Sequence, residues 1–134
     1  DALLAIAEGH PRAAEAVDRL DGLLLLIPDV VTGDDPSLSG HLIVAEWREA
    51  QGDLEGALSA VRRRHNHWFT GVRYLTTFLR EEGRLAALTE DYHGAIRAYR
   101  HYLGLRADPD PKLIPAVESV RVELERLVRE TGSG

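Results

Sequence analysis

The sequence predicts an all-α fold built from stacked helix pairs, and three observations predict it. A thirteen-residue phrase occurs twice: residues 52–64 read GDLEGALSAVRRR and residues 90–102 read EDYHGAIRAYRHY, 38 positions apart. Five positions are identical, Asp53/Asp91, Gly56/Gly94, Ala57/Ala95, Ala60/Ala98 and Arg62/Arg100, where about one match is expected by chance at ordinary composition. An offset of that size is the length of two helices with their turns, the unit of a stacked helical array. Apolar residues recur at helical spacing almost throughout, and no alternating strand pattern reaches five residues. Glycine and proline fall between these segments, where a chain of helices needs its turns.

Seven helices follow from this pattern. The first is short, Ala2 to Glu8, and ends at Gly9. The second runs from about Pro11 to Leu26 with an apolar stripe of Ala13, Ala16, Val17, Leu20, Leu24 and Ile27, and Pro28 stops it. Residues 28–37 form the longest loop. Asp35-Pro36 then starts the third helix, pairing an N-cap acceptor with a ring that needs no N–H. This helix runs to about Gln51. Gly52-Asp53 turns the chain into a fourth helix carrying Leu54, Ala57, Leu58 and Val61 on one face, and Arg63 to His67 read as a polar connection. The fifth helix spans about Trp68 to Thr89. The sixth spans about Tyr92 to Arg106, with Tyr92, Ala95, Ile96, Tyr99, Tyr102 and Leu103 on one stripe. ADPDP at 107–111 breaks the chain. The seventh helix carries Ile114, Val117, Val120, Leu124, Leu127 and Val128 inward, with Pro115 in its first turn.

Residues 1–131 read as one domain, and Gly132-Ser133-Gly134 as an appended linker. A start in mid-helix style and the absence of methionine read as a piece excised from a longer protein. The 134 residues carry 16 basic and 22 acidic side chains, a net charge of −6. Affinity for nucleic acid comes mainly from phosphate neutralisation, so an acidic chain is a poor general binder of it. Cysteine is absent, which excludes disulfides, thiol nucleophiles and thiolate-held zinc and fits a reducing, cytoplasmic setting. The longest apolar run, Leu23 to Ile27, is far short of the roughly 20 residues a membrane span needs.

The paired phrases resemble the second helix of a tetratricopeptide repeat (TPR). That family places a small residue where two helices cross and a large one four positions on. Here these are Ala57 and Val61 in one copy and Ala95 and Tyr99 in the other. Twelve residues upstream stand Ala45 and Gly83, matching the family's small residue in the first helix. Two helix axes 8–10 Å apart leave no room for two large side chains at one crossing. A third, weaker copy begins at Gly9. The resemblance implies about 2.5 TPR-like helical hairpins with a C-terminal capping helix. The chain departs from the family pattern in its copy spacing and in carrying Arg64 and Tyr102 where a second small residue is usual. The stretch GAIRAYRHYLGLRADPDPKL also resembles the end of the bacterial transcriptional activator domain, another helical array. These resemblances imply a bacterial protein–protein interaction or scaffolding domain. The alternative is the regulatory domain of a transcription factor or signalling kinase.

In the TPR family the first helix of each pair lines a concave groove. The register then places Leu42, Glu46 and Glu49 from one pair and Arg80, Arg84 and Leu88 from the next toward a protein or peptide partner. Arg80 and Arg84 are one turn apart and could clamp a carboxylate, or pair internally with Glu81 or Glu46. No other cluster points to chemistry. His65-Asn66-His67 reads as an interhelix loop, since on a helix two rings at i and i+2 diverge. His93, Arg97 and His101 lie along one face, with the two rings roughly 12 Å apart, too far for one metal. Arg62-Arg63-Arg64 fits the negative end of a helix dipole, with contact to an acidic partner as the alternative. No glycine-rich phosphate loop and no nucleophile–base motif is present. The expectation is a binding module without catalytic activity, metal or cofactor, with no direct contact to nucleic acid or membrane.

Overall fold

A computed structural model of the chain describes residues 9, 12–26, 37–63 and 71–132. It is all-helical among these residues. The elements are α1 (Ala13–Leu24), α2 (Ser37–Ala50), α3 (Leu54–Arg62), α4 (Gly71–Leu88), α5 (Tyr92–Leu105), a 3-10 turn (Pro111–Leu113) and α6 (Ile114–Thr131). The expected helix at residues 2–8, the loop at 28–36 and the histidine-containing connection at 64–67 lie outside the described residues. Two compact units divide the chain, one up to Tyr74 and one from Leu75.

In the first unit α2 packs against both α1 and α3. Ala13, Val17 and Leu24 from α1, Val44 and Ala45 from α2, and Ala57, Leu58, Ala60 and Val61 from α3 are buried. Helix α1 is shorter at both ends than the sequence suggests, and Leu25 and Leu26 form a turn. A charge also occupies its inner face. Asp21 is only 8 % exposed. Its two oxygens accept hydrogen bonds from Arg48 Nη2 on α2 at 2.8 Å and from Arg63 Nη2, just past the end of α3, at 2.6 Å. Arg48 also reaches the Asp53 carboxylate at 3.4 Å. Arg63 therefore belongs to the helix end and is turned inward, not part of a free polar connection. One carboxylate ties three helices, and two guanidinium groups compensate its desolvation.

The two copies of the repeated phrase make the same turn. Gly52 and Glu90 both adopt the left-handed conformation, at φ 82° and 64°. The following aspartate N–H donates back to a carbonyl five residues earlier, Asp53 to Arg48 at 2.9 Å and Asp91 to Ala86 at 2.8 Å. The left-handed residue itself donates to the carbonyl three back, Gly52 to Glu49 at 2.9 Å and Glu90 to Ala87 at 3.2 Å. This pair of bonds is the Schellman helix end. The same aspartates then cap the next helix: their carboxylates accept from Gly56 N at 2.9 Å and Gly94 N at 3.0 Å. Glycine follows from the cap, because a Cβ at Gly56 would stand 2.1 Å from Asp53 Oδ2.

In the second unit Phe78, Leu79, Leu85 and Ala86 of α4 are buried, as are Ala95, Ile96, Ala98, Tyr99 and Tyr102 of α5 and Val117, Val120 and Leu127 of α6. Helices α5 and α6 pack together. Helix α4 meets α5 where Gly83 faces the Tyr99 ring, and a Cβ there would lie 2.3 Å from a ring carbon. Arg106, at the end of α5, donates to the Thr76 hydroxyl at 2.9 Å. The Asp110 carboxylate accepts from Lys112 N at 2.9 Å and turns the chain into α6, where Pro115 occupies the first turn. Ile114, expected on the buried stripe, is 46 % exposed. It opens the helix at the edge of the apolar arc, a full turn before the first buried valine.

Two glycines separate packing from propensity. Each lies inside a helix, where alanine is favoured by roughly 1 kcal/mol. Gly22→Ala adds a methyl with nothing within 4 Å and should stabilise by about 0.5–1 kcal/mol. Gly83→Ala must displace a buried ring and should destabilise by about 1–2 kcal/mol despite the same propensity gain. Urea denaturation of both variants checks the opposite signs. Asp21→Asn should cost about 2 kcal/mol, between the limits for exposed and buried ion pairs. Because the pair is shielded, that loss should persist in 1 M salt, roughly, when the same denaturation is repeated there.

Candidate functional site

The sequence-expected residues Arg80, Arg84 and Leu88 share one stripe of α4, spaced by one helical turn each. They line a groove of about 630 Å³. Ala87 adds to the same wall, and Tyr99 of α5 contributes its ring. The facing wall is α6, through Pro115, Glu118, Ser119, Val122, Glu123 and Arg126. Two large apolar side chains in this groove are left open to solvent, Leu88 at 52 % and Val122 at 63 % exposure. The remaining expected residues are on α2 in the first unit and do not line this groove. Leu42 and Glu49 are half-buried and Glu46 is exposed.

The charges in the groove are unequal in what they have left to offer. Arg84 is engaged with its neighbour: Nε and Nη2 donate to the two oxygens of Glu81 at 3.4 and 2.7 Å. Arg126 forks onto Glu123 at 2.9 and 2.5 Å and reaches Glu130 at 2.7 Å. Glu118 pairs with Arg121. Arg80 is exposed and, among the described residues, carries no ion pair. Of the two readings of this arginine pair, clamp or internal pairing, Arg84 follows the second through Glu81, while Arg80 carries no ion pair among the described residues.

The ion pairs set the local acid–base behaviour. The hydrogen bonds from Arg126 hold the Glu123 carboxyl below its ordinary range, partly opposed by desolvation. Glu123 and Glu130 in turn push the Arg126 guanidinium further up. Burial, reinforced by the negative charge of Glu123, pushes the Tyr99 phenol up to about 12. Tyr99 therefore stays neutral and serves as an apolar wall with a polar tip.

The α6 wall was not legible as part of a site, because a capping helix reads as structure alone. One signal existed: Val122 is apolar and lies off the stripe of Val117, Val120 and Leu127. Of the other motifs, His93, Arg97 and His101 are exposed on α5. Among the described residues no group of three or more acidic, histidine or cysteine side chains could hold a metal ion. No helix among them is long and apolar enough to cross a membrane.

A phenol raised in the folded state stabilises the fold fully below its unfolded pKa, near 10, and that contribution is lost as pH rises through the folded value of about 12. Wild-type stability should therefore fall more steeply than that of Tyr99→Phe between pH 10 and 12, roughly. Thermal melts of both proteins across this range measure it.

Comparison of the chain with protein-family models, curated proteins and solved structures finds no match.

Proposed function

We propose that the chain is a non-catalytic protein-interaction domain of TPR-like helical hairpins, and that the groove of the second unit seats a segment of a partner protein. The observation that carries this reading is the exposure of Leu88 and Val122 within one groove, next to a cation, Arg80, that carries no ion pair among the described residues. Solvent-facing apolar side chains gathered in a concave, charged rim are the usual signature of a docking surface. The shared turn at Asp53 and Asp91, and the small-against-large contact of Gly83 with Tyr99, support the hairpin architecture.

The groove also defines the chemistry of its occupant. Leu88 and Val122 call for an apolar side chain. Arg80 calls for a carboxylate, which its planar fork can take in two parallel hydrogen bonds. Arg84, Arg126 and Glu118 already have partners, so they form a neutral rim that disfavours further charge. The partner segment is therefore an apolar one bearing an acidic residue or a free C-terminus near Arg80.

A photo-crosslinking side chain at position 88, in the protein expressed in its own cell, would identify the segment that enters the groove. That segment, synthesised as a peptide, is then titrated against wild type, Arg80→Ala and Val122→Asp. Each variant should lose at least tenfold in affinity, about 1.4 kcal/mol, with helicity unchanged by circular dichroism. Equal affinity for all three proteins would sink the assignment of this groove.

A further inference from the structure

Helix α6 carries seven charged side chains, and five of them are settled within the helix. Glu118 pairs with Arg121, and Arg126 pairs with both Glu123 and Glu130. Glu125 and Arg129 are the exceptions. Both are exposed and, among the described residues, neither is in an ion pair. They are opposite in sign and one turn apart. Together with Leu124 and Val128 they line a shallow hollow of about 380 Å³. The hollow lies on the other flank of α6 from the groove, and Leu124 and Val128 are only half-buried there.

This arrangement is its own complement. Turn a second α6 antiparallel about a two-fold axis at position 127, and every residue faces the one equally far on the other side of that position. Glu125 of each copy then faces Arg129 of the other, giving two reciprocal ion pairs. Leu124 and Val128 of the two helices interdigitate between them, as apolar knobs do along an antiparallel seam. A parallel pairing would instead set Glu125 beside Glu125 and Arg129 beside Arg129, so the charges select the antiparallel form. We propose that the chain pairs with a second copy of itself through this flank of α6, in an isologous interface.

One flank of one helix buries less than the roughly 1,200 Å² that marks stable complexes. The dimer is accordingly weak, and it should form at around 100 µM rather than at nanomolar concentration. Sedimentation velocity of the full 134-residue chain over about 5–500 µM spans that range. Wild type should show a monomer–dimer equilibrium. Glu125→Arg alone, or Arg129→Glu alone, sets like charges against each other and should weaken dimerisation at least tenfold. The double exchange, Glu125→Arg with Arg129→Glu, rebuilds both pairs with reversed polarity and should restore the wild-type constant to within about threefold. Because the chain has no cysteine, Val128→Cys supplies a single thiol next to the axis, and mild oxidation should trap it as a disulfide dimer. A wild type that stays monomeric throughout overturns the proposal. So does a dimer that the single charge reversals leave unchanged, since its interface would then lie elsewhere.

Discussion

Close approach of paired helices is the constraint on which the rest of this structure depends. The chain meets it with one device used twice. An aspartate ends one helix through its backbone N–H and starts the next through its carboxylate, so only three residues separate α2 from α3 and α4 from α5. So short a turn forces the two helices antiparallel and side by side. Small residues must then occupy the crossing, and Ala57 and Ala95 are both fully buried. The second copy shows how strongly the turn is demanded. Where the first has Gly52, it has Glu90 in the left-handed conformation, a strain of roughly 1 kcal/mol for a residue with a Cβ. The fold retains the turn there because the packing of α4 on α5 requires it.

The two units handle charge differently. In the first, an acidic side chain sits on the core face of α1, and arginines from two other elements converge on it. A lone buried carboxylate would be prohibitive, whereas a doubly bonded one specifies which helices meet and in what register. In the second, charges are neutralised mostly within a helix, three or four residues apart. Such pairs add little stability when exposed. They do remove the charges they join from competition for a partner. Among the described residues, Arg80 in the groove and Glu125 with Arg129 beside the hollow carry no ion pair, although each lies next to charges that do.

The helical class, the Gly52-Asp53 turn and the small buried residues were legible because each leaves a local mark: a 3.6-residue period, a Gly-Asp between two apolar stripes, an alanine inside a large apolar stripe. The placement of Arg80, Arg84 and Leu88 along one wall was legible for the same reason, since spacing on a single helix fixes a shared face. Contacts between distant segments left no such mark. Asp21 interrupts the stripe of α1, and nothing near it in sequence names its partners, Arg48 and Arg63, which stand 27 and 42 residues away. Arg63 looked like one of three equivalent arginines, although only the fold turns it inward. The pairing of Arg84 with Glu81 was an open alternative that spacing alone could not decide, because an arginine one turn from a glutamate can equally reach across a groove.

Helix α6 shows how one element can serve as cap, wall and edge at once. At 100° per residue, Val117, Val120 and Leu127 define the inward sector of its circumference. The groove residues Pro115, Val122 and Arg126 centre on a second sector, roughly 150° away; Leu124 and Val128 stand within about 20° of Val117 at the edge of the inward sector, with Glu125 and Arg129 beyond them. An ordinary capping helix needs one apolar sector and two polar ones. Here Val122 carries apolar surface onto the groove side and Leu124 with Val128 widens the inward stripe on the other, while internal ion pairs keep the helix compatible with water. On the two proposed readings, the flanks of the helix divide the labour. A partner lying along Val122 touches α4 and one flank of α6, while a second copy lying along Leu124 and Val128 touches the other flank. The two occupants use different side chains, so neither need displace the other. Pairing two copies would present two grooves in one assembly, and a partner offering two acidic segments would then be held by avidity as well as by the contacts in each groove.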